Sequence, residues 1–265
     1  MGSFRVGSVF GIEVRIDYSW FIIFFLILWT FTFAVFPANF PGLSAGTYIA
    51  MGVGSTILFF LSLLAHELSH SLVARRRGIP VEGITLLIFG GVARTRMEAE
   101  TPGDEFLVAV VGPLASIVIG LALFALAWIG ANARWHPGII GSAQYLGFLN
   151  IVLAVFNLLP GFPLDGGRLL RAAAWKLTGD PTRATRIASR GGQVLAWLLI
   201  GLGVLQMIQG AFIGGLWLVF IGWFLRNAAG ASYSQHLVQQ RLEHVSAGEA
   251  MTPDPETVPP AISDT

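Results

Sequence analysis

Two histidines and a glutamate, His66, Glu67 and His70, stand inside the otherwise apolar run that ends in Arg75-Arg76-Arg77. On a helix, residues i and i+4 share a face, so both imidazoles reach one ion. Glu67 falls on the flank of that face, where its carboxylate meets water beside the ion rather than the ion itself. The His-Glu-x-x-His spacing fits zinc-assisted hydrolysis with the glutamate as general base. The plainer alternative is a pair of helix histidines hydrogen-bonded to backbone or to each other. Ionisable side chains at membrane depth are costly and usually functional, which favours the chemistry.

Two histidines leave one protein ligand to find, because catalytic zinc commonly takes three. The chain has no cysteine, so the third must be a histidine or a carboxylate. Asp165 is the only acidic residue between Glu105 and Asp180. It lies in the stretch 157–167, Asn-Leu-Leu-Pro-Gly-Phe-Pro-Leu-Asp-Gly-Gly, whose prolines and glycines cannot continue a helix. A helix cap or a salt bridge to Arg168 is its alternative role. With one Zn2+ per chain on His66, His70 and Asp165, Glu67 would take a proton from water and pass it to a leaving amine. The reaction class is then amide hydrolysis within a membrane. Asn157 can donate to a substrate backbone or an oxyanion; alternatively it holds the broken helix together.

The elements that must position these groups follow from composition. A chain of 265 residues that is 54% hydrophobic and 12% charged, with mean hydropathy +0.70, is too apolar for an ordinary soluble domain. It reads as an integral membrane protein in contact with the lipid bilayer, and nothing in its charge pattern suggests nucleic acid. Apolar runs predict six transmembrane helices, near 18–36, 47–74, 106–130, from 143 to the break at 157, 191–209 and 211–225. A short helix resumes over 169–177. Trp20 and Trp29 are expected at the interface. Gly52, Gly54, Gly112-Pro113, Ala115, Ser116 and Gly120 are expected where helix backbones approach closely. Residues 1–17 form a short strand or interfacial segment, residues 18–228 the membrane core, and residues 229–265 a polar tail. The fold class is an all-α polytopic membrane protein with a small membrane-associated β-hairpin or sheet and a broken fourth helix.

Residues 81–96 suggest that hairpin, with Gly90-Gly91 as its turn. Its first arm is apolar enough to enter the bilayer, where an open strand edge must face protein, a cavity or a bound peptide. Ile84, Leu86, Ile88, Gly90 and Gly91 are therefore candidates for holding an extended substrate by strand addition. The alternative is a hairpin that plugs the cytoplasmic mouth. Orientation follows from the basic residues. Of sixteen Lys and Arg, all but Arg134 fall on the side of both termini, which the positive-inside rule makes cytoplasmic.

These residues carry a resemblance. His66-Glu-Leu-Ser-His70, Gly90-Gly91, Gly112-Pro113 and Asn157-x-x-Pro160-x-x-Pro163-Leu-Asp165-Gly-Gly167 resemble the site-2 protease family of intramembrane zinc metalloproteases, in order over about residues 5–228. The resemblance implies His66, His70 and Asp165 as zinc ligands, Glu67 as catalytic base, and single transmembrane segments as substrates. A prokaryotic plasma membrane is the implied location. Many members carry Asn where this chain has Ser116. The tail 245–258 resembles the opening of the CBS pair of another branch, so the expectation is a truncated module, with nucleotide as a partner only where a full pair exists. Two other classes compete: a metal transporter, which should carry ionisable groups along a path through several spans, and a catalytically silent scaffold, which should have lost Glu67 or a ligand.

Overall fold

The structure is a computed structural model that describes residues 2–88, 90–95 and 99–242. Among these, six helical stretches are long and apolar enough to cross a membrane. The first is Trp20–Asn39, made of α1 (Trp20–Thr30), a π-turn (Phe31–Val35) and α2 (Phe36–Asn39). The others are α3 (Ala45–Arg76), α4 (Pro102–Asn132), α5 (Pro137–Asn157), α7 (Pro181–Ile208) and the first part of α8 (Phe212–Leu242). The short α6 (Asp165–Thr178) lies between α5 and α7.

Sequence and structure differ mainly at the element ends. The fourth span starts at Pro137 rather than near residue 143, because Pro137 sits at the first position of the helix and His136 caps it through Gly138 N. Proline suits that position, where no intrahelical N–H partner is lost. Pro37 likewise sits in the first turn of α2. Helix α8 runs through the residues expected to begin a polar tail. The resemblance of residues 245–258 to a CBS opening lies outside the described residues.

The N-terminal segment is a hairpin. Strands β1 (Ser3–Val9) and β2 (Ile12–Asp17) pair antiparallel around Phe10 and Gly11, both at positive φ (51° and 75°). Such a two-residue turn matches the twist of its strands. β2 then pairs parallel with β3 (Val81–Leu87), and β3 antiparallel with β4 (Gly90–Thr95), in the order β1-β2-β3-β4. One sheet therefore unites two segments that sequence reading left separate. Its apolar face meets α1 and α3: Ile12, Ile84 and Leu86 cluster with Trp20 and Phe60. Trp20 is consequently no interface anchor. Its ring lies 4.7 Å from Phe60 and 4.9 Å from Phe24, whereas Trp29 is exposed. Arg75 at the end of α3 donates to the Phe10 carbonyl at 2.7 Å, tying the helix to the hairpin turn.

Gly90-Gly91 does not form the turn. Leu87 pairs with Gly90 and Leu86 with Gly91, so both glycines belong to β4. The small positions are used unequally: Gly52 abuts Thr32 and Gly120 abuts Gly147 and Ile151, while Gly54 faces open space.

Candidate metal centre

Helix α3 presents His66 and His70 one turn apart, with ring centroids 4.9 Å from each other. Both are buried. The third group comes from the break after α5. That stretch turns back sharply, and the Phe162 N–H bonds the Ala188 carbonyl of α7 at 3.2 Å. A side chain at Gly166 would strike the Leu158 and Leu159 carbonyls, and one at Gly192 the Phe162 carbonyl. The glycines thus let the returning chain lie backbone against backbone. Asp165 emerges as the first residue of α6 rather than from the break itself, where the positive end of the helix dipole favours its carboxylate.

Asp165 Oδ2 lies 3.1 Å from His66 Nε2 and 3.2 Å from His70 Nε2, and the two Nε2 atoms are 3.2 Å apart. Its carboxylate faces the histidines and not Arg168. Helix α4 fixes the outer nitrogens of both rings. His70 Nδ1 donates to the Val108 carbonyl at 2.6 Å, and His66 Nδ1 meets Ser116 Oγ at 2.9 Å. With Nδ1 of His70 holding the proton, its Nε2 offers a lone pair. Lone pairs converge on one point, and such a set calls for a cation.

The triangle also has the right size. Zinc–ligand bonds of about 2.0–2.1 Å imply tetrahedral edges of roughly 3.3 Å, close to the spacing seen. Gly112 of α4 supplies the remaining room. A Cβ built there would collide with His70 Nε2 and stand 2.8 Å from His66 Nε2. The group His66, His70 and Asp165 is therefore able to hold a metal ion. Gly112 and Ser116, read from sequence as packing positions, belong to the centre. A Gly-Pro pair inside a membrane helix was the available signal for Gly112; Ser116 carried none.

Glu67 is half-buried beside this cluster. Strand β4 passes over it, and a Cβ at Gly91 would lie 2.9 Å from Glu67 Cδ and 3.3 Å from Oε1. Asn157 Nδ2 donates to the Leu153 carbonyl at 2.9 Å, the helix-holding bond that was its alternative role. The strand-addition candidates need correction. Residues Ile84 and Leu86 pair with Val14 and Ile16 of β2 on one side and with Ala93 and Gly91 of β4 on the other. No edge of β3 is free there, because the N-terminal hairpin covers it. The buried side chains of Ile84 and Leu86 serve the core instead, and Ile88 lies beyond the end of β3. Among the described residues the open edge nearest Glu67 is that of β4, which keeps Gly90 and Gly91 as candidates.

Glu105 is 1% exposed and pairs with Arg171 of α6 at 3.2 Å. This pair locks the helix that starts with Asp165 to the helix that orients both histidines. Breaking a buried pair from one side costs about 3–5 kcal/mol. Glu105→Ala is therefore expected to lower the thermal midpoint markedly. The double change Glu105→Met with Arg171→Leu is expected to recover most of the loss. A midpoint unmoved in Glu105→Ala would show that the pair does not hold the helices.

Comparison with known proteins agrees with this geometry. The profile of Peptidase family M50 matches residues 54–132 and 128–199. Rip3 of Mycobacterium tuberculosis is 41% identical over 254 residues, 96% of this chain and 64% of its own length. The Synechocystis protein sll0528 is 41% identical over 262 residues, 98% of this chain and 67% of its own. MJ0392 of Methanocaldococcus jannaschii is 31% identical over 262 residues, 98% of this chain and 69% of its own. All three carry the words zinc metalloprotease in their names. The chain thus spans about two thirds of these relatives, and just under that share of Rip3. Among solved structures, the site-2 protease from Methanocaldococcus jannaschii superposes with a TM-score of 0.57 at 29% identity, covering 88% of this chain and 95% of that one.

Proposed function

The chain belongs to Peptidase family M50, and from that premise we propose that it hydrolyses peptide bonds of membrane-anchored substrates within or near their transmembrane segments, as a zinc metalloendopeptidase. The observation that carries the reading is the convergence of His66, His70 and Asp165 beside Glu67, at membrane depth and beneath an open strand edge. Zinc held by the three ligands would supply a Lewis acid that polarises the scissile carbonyl and acidifies water. Glu67 takes the proton from that water and returns it to the leaving amine. Ser116 and the Val108 carbonyl hold the imidazoles in place. The Glu105–Arg171 pair keeps Asp165 in register with them.

Substrate capture follows from the bilayer. A helical peptide bond is shielded by its own hydrogen bonds, so the segment must extend before attack. An extended segment needs backbone partners, because each unsatisfied amide in hydrocarbon costs several kcal/mol. The β4 edge beside Glu67 offers them. Prolines placed singly along β4 are expected to lower cleavage sharply at alternate positions, those whose N–H points away from β3, while metal content stays normal. Uniform tolerance of proline would leave the sheet as a plug.

The same reading puts the chain in a prokaryotic plasma membrane with both termini cytoplasmic and residues 18–228 as the protease core. Neither rival class gains support. The ligand set is complete and carries Glu67, unlike a silent scaffold, and it occupies one depth rather than a transport path. The direct test is cleavage of a single-span substrate by purified protein in liposomes, before and after removal of metal by a chelator. Cleavage should vanish on chelation and return with zinc. Undiminished cleavage by the stripped protein would overturn the proposal.

A further inference from the structure

Helices α7 and α8 form an antiparallel pair. At Gly203 and Gly215, and again at Gly222 against Ala196, their backbones touch closely. Toward the basic side of the membrane they part around a cleft of about 370 Å³, lined by Gln193, Trp197, Arg226, Asn227 and Gly230. The Arg226 guanidinium sits 5.0 Å from the centre of the Trp197 ring. A cation held on a ring face keeps the donors along its edge for another partner.

Neither helix carries a carboxylate to be that partner. From Pro181 to Gly230 the sequence has no Asp or Glu. Among the described residues, no carboxylate lies within ion-pair distance of Arg226. Asn227 and Gln193 add neutral donors to the lining. Next to the cleft the surface is apolar: Val194, Leu198 and Trp223 are all more than half exposed. A polar, cationic pocket at the end of a span, continuous with an apolar outer surface, matches an amphiphile with an anionic head.

We propose that this cleft binds the phosphate of an anionic phospholipid, its acyl chains lying along Val194, Leu198 and Trp223. Arginine suits a phosphate because its fork donates two parallel hydrogen bonds. Basic pockets between transmembrane helices near the cytoplasmic surface bind such head groups. The indole of Trp197 fits the level where ring and head group meet.

The test uses the full chain with its metal, purified in a neutral detergent and titrated with phosphatidylglycerol, phosphatidylcholine or inorganic phosphate. Bound lipid is counted by native mass spectrometry and the thermal midpoint is followed in parallel. Phosphatidylglycerol should bind and raise the midpoint, whereas phosphatidylcholine and inorganic phosphate should do much less. Arg226→Ala should weaken phosphatidylglycerol binding roughly fivefold or more, the effect of one arginine close to an anionic surface. Arg226→Lys should retain part of it. Arg134→Ala, on the opposite side, should bind as the parent does. Unchanged binding in Arg226→Ala, or an equal loss in Arg134→Ala, would overturn the site. A midpoint shift with inorganic phosphate as large as that with phosphatidylglycerol would overturn the lipid assignment.

Discussion

Glu67→Gln is expected to abolish cleavage while leaving zinc content and thermal midpoint close to those of the parent. The amide keeps the size and shape of the carboxylate but cannot accept a proton from water. Loss of a positioned general base costs roughly 10²–10⁴-fold in rate. Glu67 stands beside the ligand cluster without belonging to it, so the metal should stay. Its carboxylate also packs under Gly91, a contact the isosteric amide preserves and alanine would not. The measurement is cleavage of a single-span substrate at matched zinc occupancy. Turnover within a few-fold of the parent would remove Glu67 from the mechanism. Lost turnover with lost zinc would make it a ligand instead.

What the sequence made legible here is what spacing and composition can encode. His66 and His70 share a helix face because four residues make about one turn, and the structure brings their Nε2 atoms within 3.2 Å. Asp165 stood out because carboxylates are scarce in an apolar chain, and its backbone was marked by proline and glycine. The structure adds that Gly166 and Gly192 are there to let backbones touch, which a helix-breaker reading does not convey.

The parts that stayed hidden depend on contacts remote in sequence. The parallel pairing of β2 with β3 joins residues 13–16 to residues 83–86, and no local pattern announces such a pairing. It turned the expected open arm into an interior strand and moved the free edge to β4. Ser116 likewise resembles any small residue at a helix contact until His66 appears 50 positions away. Nothing local marks Glu105, near the start of α4, as buried. Its partner Arg171 lies 66 residues on.

The second large effect is expected at a residue with no side chain. Gly112→Ala adds one methyl group to a membrane helix, and by helix propensity alone alanine in place of glycine favours the fold by about 0.5–1 kcal/mol. At this position the new Cβ would collide with His70 Nε2 and crowd His66 Nε2, filling the space the three ligands share. Neither ring can turn aside easily, because Val108 and Ser116 hold their far nitrogens from the same helix. The expected result is zinc content reduced at least tenfold and cleavage lost, because overpacking at the rings, about 1–3 kcal/mol, outweighs the propensity gain. Gly120→Ala, on the same helix but against Gly147 and Ile151, is the control: overpacking there should lower the midpoint while zinc stays. Full zinc occupancy in Gly112→Ala would mean that α4 can retreat from the centre. The close fit between α4 and the two histidines would then have no part in holding the metal.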